Sequence, residues 1–222
     1  MSDVSNRDEL ERRLARKIGK VQRAQMGKLL ELLGDPPDLN NVTPDFWTLA
    51  GKELAAVLLP ILEDIFLEQA RVLLTAQPIG VDWALINRAA VDWARAYGFN
   101  LVTGVNATSQ AGLQSAVSAY FEQGLTIGDL EKKLGNLFGP VRAEMIAVTE
   151  VTRASVEGER AIAGEIAKQG IDMIPIWQTN RDDLVCPICG PRHKKPIADG
   201  IFPPAHPRCR CWVNHELPEV AQ

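Results

Sequence analysis

Cys186-Pro187-Ile188-Cys189, followed after sixteen intervening residues by His206-Pro207-Arg208-Cys209-Arg210-Cys211, is the stretch on which the reading of this chain turns. A Cys-x-x-Cys pair in a tight turn aims two thiolates at one ion, and a second cluster about 15–20 residues away completes a tetrahedron in many zinc sites. All four cysteines of the chain lie here, and a protein made in a reducing cytoplasm rarely clusters its cysteines for disulfides. The candidate ligands are therefore Cys186, Cys189, His206, Cys209 and Cys211, with either Cys211 or His206 as the fourth. On a strand, Cys209 and Cys211 would share a face while Arg208 and Arg210 point the other way. A structural zinc ion is the preferred reading.

Three other readings of the same residues stay open. The cysteines can be small buried residues, a Cys-Pro-Ile-Cys redox pair, or two disulfides in a chain that leaves the cell. A redox pair normally caps a helix after a strand, and Gly190-Pro191 does not begin one. Catalytic zinc keeps an open position for water, whereas these donors suffice to fill every position. Further histidines beside the ion would favour a nuclease, but His193 and His215 read as surface residues and Asp182 and Asp183 as turn formers.

Outward from this cluster the sequence is helical back to its start. Ser5 with Asp8 reads as an acidic capping box before a helix over Glu9 to Leu33, ended by Gly34, Pro36 and Pro37. Thr43-Pro44 reads as a cap and first helical position, and Pro60 should kink or break the helix that follows. Pro78 and Gly80 mark a turn before a helix over Asp82 to Tyr97. A second helix over Ala107 to Gln123 is closed by Gly124, and Thr126 with Asp129 opens a short one ending at Gly139. The longest helical pattern, Val141 to Lys168, is closed by Gly170. Arg142, Ile146, Thr149 and Arg153 share one face of it, and Glu150 can reach Arg153. That stripe is either a salt-bridged surface or the face that meets the cysteine-rich tail. After Gly170, Ile174 to Thr179 reads as a strand and Asn180 to Asp183 as a turn. The proline-rich stretch 186–211 has no room for a helix of useful length and buries too little to fold alone. The fold class is thus mainly α, a helical body with a small C-terminal α+β unit stapled by a zinc knuckle.

Composition is ordinary for a globular chain of 222 residues, with 46% hydrophobic and 23% charged residues. The net charge of −4 is unevenly laid out: +4 over residues 1–30, −9 over 31–175 and +1 over 176–222. Nucleic acid, if bound, would meet the ends, and first of all the basic first helix with Arg12, Arg13, Arg16, Lys17, Lys20 and Arg23. The longest apolar run, Leu54 to Leu62, is stopped by Glu63 and Asp64 and does not reach the roughly 20 residues of a membrane span. Residues 1–11 lack the apolar core of a signal peptide, which points to a cytoplasmic start. No glycine-rich phosphate loop or serine-hydrolase motif is present, so no small-molecule substrate is expected.

Arg142-Ala143-Glu144-Met145-Ile146-Ala147-Val148-Thr149-Glu150-Val151-Thr152-Arg153-Ala154 resembles the "R…I..TE..RA" helix of the Mu F-like phage head morphogenesis family. Trp177, Asp182 or Asp183, Cys186, Cys189 and the final Pro203-Pro204-Ala205-His206-Pro207-Arg208-Cys209-Arg210-Cys211 resemble that family's closing pattern. Lys194-Lys195-Pro196 departs from the usual turn of the linker and leaves the ligands untouched. The resemblance covers about residues 105–214, leaving 1–104 as a variable helical region and 215–222 as a tail. It implies a non-enzymatic minor capsid protein of a tailed phage or prophage, working near the portal vertex in head assembly and DNA packaging or ejection. The implied partners are the portal protein and the major capsid or scaffold protein, with packaged DNA on the basic first helix. The implied location is the virion interior, after assembly in the host cytoplasm. Some members carry a toxin or enzyme after this domain; the eleven residues beyond Cys211 leave no room for one. A metal-dependent nuclease and a zinc-dependent DNA-binding module are the rival readings.

Overall fold

In a computed structural model of the chain, residues 3–76, 79–179 and 185–218 are described. Five α-helices run in order among them: α1 Arg7–Leu33, α2 Pro44–Ala76, α3 Trp83–Gln123, α4 Ile127–Phe138 and α5 Pro140–Ala167. Two short strands, β1 Ile174–Gln178 and β2 Trp212–Glu216, then pair antiparallel, with Ile176 opposite Asn214. The fold is mainly helical with a small C-terminal sheet, as the sequence implies. Pro78 and the Asn180 to Asp183 turn lie outside the described residues.

The short helix α4 shows the local rules most plainly. Thr126 accepts from the Asp129 backbone N–H while the Asp129 carboxylate accepts from the Thr126 N–H, so the predicted capping pair closes in both directions. Leu130, Leu134 and Phe138, four apart, put one stripe into the core, and Gly139 ends the helix. Helix α5 ends at Ala167, and the turn after it closes at the predicted Gly170, whose φ of 84° suits a residue without Cβ.

Three expectations change. The first helical bonds of α1 fall on the Asn6 carbonyl, one residue beyond the predicted Ser5 cap. Helix α2 runs through Pro60 without a break. The helices foreseen over 82–97 and 107–123 are one helix, because no proline interrupts 98–106 and Gly98 packs tightly there. A Cβ at Gly98 would come within 2.0 Å of the Leu59 side chain.

The chain divides into two compact units, one of residues 1–11, 61–94 and 148–222, the other of 12–60 and 95–147. Leu29, Leu33, Leu113, Val117, Leu130, Leu134 and Phe138 form a core in the second unit. In the first unit, Phe66, Ala70, Leu73, Ile86, Ala90, Ile162 and Ile166 close α2, α3 and α5 on one another. Gly158 lets α5 meet α2 here, since a Cβ would lie 2.2 Å from the Phe66 carbonyl oxygen. The tail belongs to this unit with the C-terminal part of α5, as one reading of the Val141 helix foresaw.

Candidate metal centre

The cysteine-rich stretch contains only a single 3₁₀ turn, Gly190–Arg192, and an isolated bridge from Pro196 to Ile176. Its core is small: Trp177, Cys189, Cys209 and Cys211 are buried together, with Val185, Cys186, Ile197 and Ala205 packed around them. The Cys-x-x-Cys turn is closed by bonds from the Cys189 and Gly190 N–H groups to the Cys186 carbonyl, at 3.1 and 3.0 Å. These bonds turn both thiols inward. Arg192 lies over the Trp177 ring at 5.2 Å and pairs with Asp199 at 2.8 Å, bracing the linker.

Five donor atoms converge as two overlapping triads that share Cys189: Cys186, Cys189 and His206, and Cys189, Cys209 and Cys211. Within each triad all donors lie within 4.8 Å of one another, so either group could hold a metal ion. His206 Nε2 lies 3.0 Å from Cys186 Sγ and 3.4 Å from Cys189 Sγ, and the Cys189 and Cys209 sulfurs are 3.8 Å apart. Tetrahedral zinc bonds place two sulfurs about 3.8 Å apart and a sulfur and nitrogen about 3.5 Å apart. The donor set and its spacing thus fit the group.

The imidazole is oriented for this role. His206 Nδ1 sits 2.8 Å from the Pro207 carbonyl, so Nδ1 carries the proton and Nε2 turns its lone pair to the sulfurs. That same bond, with the Cys209 and Cys186 thiolates, raises the His206 pKa. The hydrogen bond from Cys211 holds the Cys209 thiol down at about 5, aided by the Cys211 and Ala205 backbone. Burial, then the negative Cys209 next to it, pushes Cys189 up to about 12, and the bond to Cys209 raises Cys211. For Cys186, burial works upward, yet the bonds from Cys189 and Ile188 and the nearby His206 bring it below the ordinary thiol value. A cation displaces protons from thiol ligands, so an ion held here would relieve the crowding of these sulfurs.

Several sequence expectations are altered. Strand β2 begins only at Trp212, so Cys209 and Cys211 do not share a strand face. Both are nevertheless buried while Arg208 and Arg210 are exposed, because Arg208 takes a φ of 62° and turns the chain. His215 is not a surface residue; it is 4% exposed, and its Nδ1 lies 3.2 Å from the buried Glu159, which also accepts from Gln69 at 2.7 Å. His193 is half-buried, its Nδ1 3.1 Å from the Thr179 backbone N–H. Neither joins the metal-ligating donors. Asp182 and Asp183 lie outside the described residues.

The polar stripe of α5 divides. Arg142 donates to the Leu137 and Val105 carbonyls and to Ser109, within the second unit. Thr149 accepts from the Arg208 N–H at 2.9 Å, and Thr152 donates to the Cys209 carbonyl at 2.6 Å, so this face does meet the tail. Glu150 lies 3.6 Å from Arg153 as foreseen, but it is buried. Sequence reasoning missed Thr152 and also Arg7, which donates to Thr152 at 2.7 Å, and Glu11, which pairs with Arg210. Two threonines three apart, Thr149 and Thr152, were the local signal; the partners of Arg7 and Arg210 are too distant in sequence to leave one.

A comparison with family models matches residues 111–214 to the Phage Mu protein F like protein family. This segment is similar to the Mu F-like family. No curated protein and no solved structure matches the chain. The Mu F-like segment thus starts within α3, contains α4, α5 and both strands, and includes all five donors. No helix among the described residues is long and apolar enough to cross a membrane.

Proposed function

We propose that the chain is a non-enzymatic minor head protein of a tailed bacteriophage or prophage, acting at the portal vertex in head assembly and in DNA packaging or ejection. The observation that carries this reading is the Mu F-like match over residues 111–214, which includes the whole of the donor cluster. The role is binding. Residues 1–104, which lie ahead of that match, supply the docking surfaces for the portal and for the capsid or scaffold. Arg12, Arg13, Arg16, Lys17, Lys20 and Arg23 are all exposed on α1, where phosphates of packaged DNA can reach them. The protein resides inside the virion after assembly in the host cytoplasm.

The ion of the tail is zinc, held by Cys186, Cys189, Cys209 and His206. The hydrogen bond that turns His206 Nε2 toward two sulfurs supports the histidine as fourth ligand, with Cys211 bonded to the Cys209 sulfur. Such a site is structural, since four protein ligands leave no open position for water.

Quantitative mass spectrometry of purified heads tests the reading. A few copies per portal ring are expected. Absence from both proheads and virions would overturn it, and assays for divalent-ion-dependent nicking lost with His206→Ala would then take precedence.

A further inference from the structure

We infer that the metal knuckle is a latch for residues 3–11, so that occupancy of the metal centre decides whether the start of α1 is docked or released. The inference rests on the metal reading of the cysteine cluster. It comes from contacts that join the two ends of the chain within one compact unit.

Two connections run to the Cys209-Arg210-Cys211 turn. In the first, Arg7 donates to the Thr152 hydroxyl at 2.7 Å, and that hydroxyl donates onward to the Cys209 carbonyl at 2.6 Å. In the second, Arg210, the residue between two of the candidate ligands, pairs with Glu11 and lies 3.3 Å from Asp8. Arg7 is itself held by Asp3 and lies 3.6 Å from Glu11. Val4, Arg7 and Glu11 are buried, so the segment is docked and not merely lying on the surface.

The dependence on metal follows from what else holds the turn. The stretch 186–211 has no helix beyond one 3₁₀ turn, and its buried cluster is Trp177 with three cysteines. Without an ion, little apolar area keeps Cys209 and Cys211 in place. Movement of that turn withdraws Arg210 from Glu11 and the Cys209 carbonyl from Thr152. A buried carboxylate that loses its main cation goes to water, and the first turns of α1 go with it. The part of α1 beyond residue 14, where no such link is seen among the described residues, has no reason to respond.

Hydrogen exchange on the full chain, loaded with zinc and then stripped by a chelator, reads this directly, with metal content measured on the same samples. Amides between residues 4 and 14 are expected to exchange at least about tenfold faster after stripping, while those of α4 keep their rates. Arg210→Ala, at an exposed position, should retain its zinc and still show the faster exchange at residues 4–14. Full zinc binding with unchanged protection of residues 4–14 in both experiments would overturn the latch and leave the metal centre standing. A chain that binds no zinc would overturn both.

Discussion

Replacing Thr152 by valine removes one hydroxyl and little else, and the structure gives the cost. The side chain is fully buried, and its Oγ1 donates to the Cys209 carbonyl at 2.6 Å while accepting from Arg7 at 2.7 Å. Valine has nearly the same shape, so no cavity opens; the loss is that of two hydrogen bonds. An orphaned buried carbonyl costs about 1–3 kcal/mol. Arg7 retains Asp3 and lies 3.6 Å from Glu11, so its share sits at the low end of that range. The sum is about 2–4 kcal/mol. Guanidinium unfolding of the metal-loaded chain, followed by circular dichroism, should show a lower midpoint at unchanged slope. Thr152→Ser keeps the hydroxyl and loses a methyl group, which costs about 1 kcal/mol. A valine variant within about 0.5 kcal/mol of the native chain, or a serine variant as damaged as valine, would refute the reasoning.

Other perturbations test other joints. Glu159→Ala leaves His215 and Gln69 buried without their shared partner and should cost about 3–5 kcal/mol, against a smaller loss for Glu159→Gln, both read from unfolding midpoints. Gly158→Ala drives a Cβ into the Phe66 carbonyl and should cost about 3 kcal/mol or more, whereas Gly135→Ala, in open space on α4, should stabilise by about 0.5–1 kcal/mol; thermal melts of the pair check both. The Thr126 hydrogen bonds hold the Asp129 carboxyl below its ordinary value of 3.8, so its contribution is present above that pH and is lost as pH falls through the folded value. Asp129→Asn should therefore lower the midpoint at neutral pH, and the gap from the native chain should close in acid; a gap independent of pH would contradict this.

Much of this architecture is legible in the sequence because its determinants are local. The Thr126–Asp129 cap, the Leu130, Leu134, Phe138 stripe and the stop at Gly170 each depend on residues within a few positions. The single long α3 was not legible, because the close packing of Leu59 against Gly98 is a contact from another helix that no local pattern carries. The same holds for the centre. Cys-x-x-Cys and the final Cys-Arg-Cys announce a donor cluster, but its division into two triads depends on the turn at Arg208. His215 looked like a surface residue in a polar tail; only α5, with Glu159 on its buried side, draws it inside. Glu11 and Arg210 lie so far apart in the chain that no periodicity could connect them.

Elemental analysis of the full chain purified without added metal, set beside Cys189→Ser, tests the central claim most directly. Cys189 is the donor that both triads share. The native chain is predicted to carry about one zinc ion, as a single tetrahedral site requires, and the variant to lose it together with protease resistance of the tail. A native chain free of metal, or a variant with unchanged metal content and an unchanged digestion pattern, would contradict the account.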